Sequence, residues 1–98
     1  MILGAPKVVK NSSNITFSWT KPTGAPPSGY QFILQYGTDQ TFANAGVTTT
    51  VTGQTGLTYI AALAVSSPVK TYYWRIKMTN AANSVDFTDW ATAIKFPR

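Results

Sequence analysis

A seven-stranded antiparallel β-sandwich is the fold this sequence predicts, and three observations predict it. Large apolar residues alternate with polar ones, most plainly where Tyr72, Trp74, Ile76 and Met78 are interleaved with Tyr73, Arg75, Lys77 and Thr79. A period of two marks a strand with one buried face and one wet face. No stretch of the chain holds a helical spacing. Instead, short alternating runs are cut by Gly, Pro, Ser and Asn clusters about 10–15 residues apart, the punctuation of two packed antiparallel sheets.

The elements follow in order. Residues 5–10 open the first strand, with Pro6 where a missing N–H does no harm. Residues 14–20 form the second, with Ile15, Phe17 and Trp19 on one face. Residues 21–29, rich in Pro and Gly, cannot continue a sheet and make a loop. The third strand covers residues 30–36, with Tyr30, Phe32, Leu34 and Tyr36 facing one way and Gln31, Ile33 and Gln35 the other. After a turn over residues 37–46, the Thr-rich residues 47–52 read as an edge strand. Gly53 and Gly56 bracket another turn, and residues 57–63 then place Leu57, Tyr59, Ala61 and Leu63 on one face. Ser66, Ser67 and Pro68 close that strand before the one that carries Tyr72. Residues 80–89 connect it to a last strand over residues 90–96.

Ninety-eight residues make one domain, spanning 1–98. A chain of this size buries roughly 60–65% of its extended surface, enough for a core without staples. It has no Cys, so disulfides, thiol nucleophiles and thiolate metal sites are excluded. It also has no His and no Glu, and its only carboxylates are Asp39, Asp86 and Asp89. General acid–base chemistry recruits those residue types, so the expectation is a protein that is not an enzyme and needs no cofactor. Eight Lys and Arg against three Asp leave a net charge of +5, although only 11% of residues are charged. That bias permits anionic partners without requiring one. Nucleic acid is not expected, because the charge count is low and no nucleic-acid-binding motif is present. Membrane insertion is not expected either, since no apolar run is long enough and residues 1–4 are too short for a secretory signal.

Pro6, Trp19 within Thr16-Phe17-Ser18-Trp19, Tyr30 with Phe32, and Tyr72 resemble the landmarks of a fibronectin type III domain, an immunoglobulin-like sandwich. The run Thr71-Tyr72-Tyr73-Trp74-Arg75-Ile76, followed by Asn80, Trp90 and Phe96, resembles the bacterial extracellular members most closely. The Thr38-Asp39-Gln40-Thr41-Phe42 turn is similar to one found in those modules. The resemblance covers nearly the whole chain. It departs from the family between Leu63 and Tyr72, where the connection is longer, and no Arg-Gly-Asp tripeptide is present. The fold serves many roles, so the likeness speaks to architecture before function.

The resemblance implies a structural core of Trp19, Tyr30, Phe32, Tyr72, Trp74 and Ile76. It also implies that the Tyr72 hydroxyl bonds to backbone of the preceding loop. With third, sixth and seventh strands as neighbours, Gln31, Ile33, Gln35, Tyr73, Arg75, Lys77 and Lys95 share one outer face. Such a face is either plain solvated sheet or a ligand and partner surface. Trp90 has two readings. Straight alternation turns it inward with Ile94 and Phe96, whereas a bulge before Ala91 turns it outward, where it stacks on Arg75 or, with Phe87, forms an aromatic platform. Asp86 and Asp89 are too few for calcium, which takes six to eight oxygens, so no metal is expected. Asn11-Ser12-Ser13 and Asn14-Ile15-Thr16 match the glycosylation pattern, which matters only in a eukaryotic secretory route.

The expected function is therefore that of a non-catalytic, extracellular or cell-surface module of a larger protein, monomeric in isolation. Its partners would be neighbouring domains or other proteins. Two alternatives stand beside it. One is a carbohydrate-binding module presenting Tyr73, Arg75, Lys77 and Trp90 to a polysaccharide. The other is a structural or decorating domain of a virus particle. An engineered binder would use residues 21–29 and 81–89, but those loops lack the Tyr- and Ser-rich composition of a selected paratope.

Overall fold

Alternation of apolar and polar residues is realised as seven strands in two antiparallel sheets, with no helix among the described residues. The computed structural model describes residues 6–22, 24, 28–83 and 85–98. Residues 1–5, which include the expected start of the first strand, lie outside them, as do Thr23, residues 25–27 and Ser84 in the two loops.

The three-stranded sheet has the order β1 (Lys7–Lys10), β2 (Ile15–Ser18), β5 (Thr58–Ala61). The four-stranded sheet has the order β4 (Thr48–Gln54), β3 (Tyr30–Gly37), β6 (Thr71–Asn80), β7 (Ile94–Pro97). β3 and β6 pair from Tyr30 opposite Asn80 to Gly37 opposite Tyr73, an unbroken central ladder.

The sheets meet through the residues that alternation assigns to the inside. Ile15 and Phe17 from β2, Ala61 from β5, Phe32 and Leu34 from β3, and Trp74, Ile76 and Met78 from β6 are buried together with Trp19 and Phe96. Tyr30 and Tyr72 are half-buried against this cluster. Phe17 shows how the layers interlock: its ring centre lies 4.7 Å from Trp74, 5.1 Å from Tyr36 and 5.9 Å from Phe96, all on the opposing sheet. Each large apolar side chain fully buried here contributes about 1.5–3 kcal/mol.

Two expectations about the last part of the chain need correction. The expected strand over residues 90–96 narrows to β7 at Ile94–Pro97. The reason lies in register. Ala91 donates its N–H to the Ile76 carbonyl (2.8 Å), while Ile94 pairs with Trp74. Three steps from Ala91 to Ile94 therefore answer two steps from Ile76 to Trp74, and the alternation breaks. The Tyr72 hydroxyl, expected to bond to the preceding loop, makes no hydrogen bond among the described residues. Its ring instead stacks on Phe96 at 5.7 Å.

Arg98 does the tethering of that loop. Its backbone N–H bonds to the Lys70 carbonyl (2.8 Å), and its carbonyl accepts from the Ser66 N–H. The guanidinium donates to the carbonyls of Leu63 (2.7 Å), Asn14 (2.9 Å) and Asn11. One side chain thus ties the β1–β2 turn to the segment between β5 and β6.

The same contacts set Lys7 and Arg98 at different levels along the sheets. Lys7 pairs with Ser18, and the adjacent Trp19 ring lies 5.5 Å from Phe32, which faces Met78 near the far end of β6. Arg98 sits against Lys70, just before β6 begins. From Lys7 to Asn11, which the Arg98 side chain reaches, the separation is roughly 13 Å at about 3.3 Å per residue, in a molecule measuring 42 × 25 × 19 Å.

Candidate outer-face site

The outer face of the four-stranded sheet is built by the residues that alternate with the core. Gln35 lies between Thr50 on β4 and Arg75 on β6, directly paired with both. Its amide reads both ways: Nε2 donates to Thr50 Oγ1 (3.2 Å) and Oε1 accepts from Arg75 Nε (2.9 Å). Three strands are stitched across their surface by this row of side chains.

Arg75 is the centre of the face. Its guanidinium carbon is 4.1 Å from the Trp90 ring centre and 4.4 Å from that of Phe42. Lys77 Nζ is also 4.6 Å from the Trp90 ring and forms an ion pair with Asp86 at 3.1 Å. Burial lowers the Arg75 pKa from its ordinary value, yet a guanidinium stays charged at any relevant pH. The rings take the place of part of its water.

Each aromatic partner reaches Arg75 by a local backbone device. Phe87 and Thr88 both donate their N–H to the Met78 carbonyl (2.8 and 3.1 Å), and Thr88 Oγ1 accepts the Met78 N–H (2.9 Å). Two residues against one is the pattern of a bulge. Together with the register break at Ala91, it turns Trp90 outward, the second of its two sequence readings.

Phe42 comes from the turn between β3 and β4. The Asp39 carboxylate accepts from Thr41 N–H (2.9 Å), Thr41 Oγ1 (2.9 Å), Ala43 N–H (3.0 Å) and Asn44 N–H (2.7 Å). These donors hold the loop in a form where Phe42 has φ of 57°, a left-handed conformation costly for a bulky residue. Phe42 is nonetheless buried. Gly37 lets the loop close, because a Cβ there would meet the Val47 carbonyl oxygen at 1.9 Å.

The predicted face residues therefore separate into two groups. Gln35, Arg75, Lys77 and Trp90 are brought together and are largely engaged with one another. Ile33 pairs with Lys77, Tyr73 pairs with Lys95, and Gln31 pairs with Thr79, each on a neighbouring row. Ile33, Tyr73 and Gln31 are half-buried, and Lys95 is exposed.

Sequence reasoning did not assign Phe42 to this face, nor Asp86 to Lys77. The turn containing Phe42 was visible as a pattern, but nothing local indicates that its ring crosses to β6. Among the described residues no group of three or more metal-ligating side chains occurs. No helix among them is long and apolar enough to cross a membrane. Neither the models of known protein families nor the sequences of curated proteins match this chain.

Proposed function

We propose that this chain is a non-catalytic, fibronectin type III-like module that spaces and orients its neighbours in a larger extracellular or cell-surface protein of bacterial type. The observation that carries the reading is the course of β1, which runs from Lys7 toward Asn11, whose carbonyl the Arg98 guanidinium reaches, so that entry at Lys7 and exit at Arg98 are offset along the sheet. A chain arriving at Lys7 and continuing past Arg98 is carried forward by the length of β1, roughly 13 Å over the four steps to Asn11 at about 3.3 Å each. The sheet orders β1-β2-β5 and β4-β3-β6-β7 support the family part of the proposal. The engaged outer face supports the non-catalytic part, since its cations face aromatic rings and an amide rather than a cleft.

A polysaccharide-binding module would need aromatic rings open to a sugar, and the Trp90 ring is taken up by Arg75 and Lys77. The spacer reading is tested by fusing two copies head to tail and measuring small-angle scattering. The expected maximum dimension clearly exceeds the 42 Å of one copy. A particle scarcely longer than one copy would reject in-line spacing. An amide-resolved titration with neutral and anionic polysaccharides should leave Tyr73, Arg75, Lys77 and Lys95 unmoved. Saturable shifts clustered there would replace the spacer with the carbohydrate-binding alternative.

A further inference from the structure

Between Asp39 and Lys70 the sequence contains no charged residue at all. That segment supplies both β4 and β5, each at the edge of its sheet. Five exposed large apolar residues belong to it: Val47, Leu57, Ile60, Val65 and Val69. Both of these edges are therefore uncharged, while the charge of the molecule is carried by the other strands and loops.

Sheet edges carry rows of unpaired N–H and C=O groups, and proteins ordinarily guard them with lysine, proline or short length. Three of the four edges here follow that rule. β1 has Lys7 and Lys10, β7 has Lys95 and Pro97, and β5 is only four residues long. β4 does not follow it. It is seven residues long, Thr-Thr-Thr-Val-Thr-Gly-Gln, with neither charge nor proline, and no strand pairs with its outer edge among the described residues.

We infer that β4 is a self-association edge, pairing antiparallel with β4 of a second copy to join two four-stranded sheets into one of eight. Charge confines a second copy to this edge. Two molecules of net charge +5 repel wherever their lysines meet, and pairing through β1 or β7 would set lysine against lysine. Through β4 they meet Thr on Thr. An antiparallel pair about a two-fold axis satisfies both identical edges at once, the isologous contact of a closed dimer.

Geometry also limits its strength. Gly53 has φ of 71°, and the β3–β4 register slips between Phe32 and Leu34, so the regular edge is residues 48–51. So short a pairing lies at the small end of specific interfaces and forms only at high concentration. It goes beyond the spacer reading: an in-line string of modules leaves this flank open to a string alongside.

The test is sedimentation of the whole chain and its charge variants from about 10 µM to about 1 mM. Thr50 is exposed and its side chain makes one surface hydrogen bond, from Gln35 Nε2, so Thr50→Lys and Thr50→Glu should lose that bond and keep the wild-type fold, checked by their amide spectra. The wild type should move toward dimer mass with rising concentration, with amide shifts centred on residues 48–51. Each variant alone should stay monomeric through like-charge repulsion, and their equimolar mixture should associate again. A wild type monomeric at about 1 mM overturns the proposal. So does association that is undiminished in both variants, because another surface would then carry it.

Discussion

The Arg75 guanidinium lies 4.1 Å from the centre of the Trp90 ring, on the outer face of the four-stranded sheet. A cation over an aromatic face at this distance contributes about 0.5–2 kcal/mol, more as water is excluded. Trp90→Ala should therefore lower stability by about 1–2 kcal/mol in urea unfolding. A double-mutant cycle with Arg75→Gln should show coupling of about 0.5–1 kcal/mol. Additive losses would mean that ring and guanidinium do not interact in solution.

Trp74 lies on the opposite face of the same strand and is fully buried against Phe17. Trp74→Ala removes the largest fully buried side chain, and the expected cost is about 3–5 kcal/mol. A loss under about 1 kcal/mol in denaturant titration would put the ring outside the core, contrary to the β6 register.

Trp74 and Trp90 also mark how far the sequence could be read. Within β6 the alternation runs unbroken from Tyr72 to Met78, so parity alone assigns Trp74, Ile76 and Met78 to the interior. The same logic serves Ile15 and Phe17, and Phe32 and Leu34. It fails at Trp90 because the Phe87–Thr88 bulge and the break at Ala91 reset the parity, and neither has a strong residue signature. Arg98 was illegible for another reason. Its partners are backbone carbonyls, which every sequence supplies everywhere.

Arg98 gives the third prediction. Its side chain satisfies carbonyls of Asn11, Asn14 and Leu63, and the residue is only 4% exposed. Hydrogen bonds from a charged donor contribute about 1.5–3 kcal/mol, and leaving the acceptors unpaired adds to the loss. Arg98→Ala should cost about 2–4 kcal/mol and speed hydrogen exchange in the segments around Asn14 and Leu63. Arg98→Lys should recover little, because one ammonium cannot reproduce the planar fork that spans both segments. Full recovery by lysine would show that charge, not geometry, is what the site uses.

Asp39 gives the last prediction, in pH. The N–H of Thr41 is the largest influence on its carboxylate, followed by the Asn44 N–H and the Thr41 hydroxyl, and together they lower its pKa. A carboxyl whose folded pKa is depressed adds stability that is fully present above its unfolded pKa. That stability is lost as pH falls through the folded value. Acidification below the ordinary carboxylate range should therefore loosen the β3–β4 turn and, with it, the burial of Phe42 under Arg75. Carboxyl-detected NMR should place the Asp39 midpoint below that of an unfolded Thr-Asp-Gln-Thr peptide, with the Phe42 ring signals shifting in step. Asp39→Asn keeps one acceptor oxygen but replaces the other with an amide donor. It should weaken the turn at neutral pH and abolish the linked shift of Phe42 on acidification. An Asp39 midpoint equal to the peptide's would mean that the carboxylate does not hold the turn, and that Phe42 reaches Arg75 by other contacts.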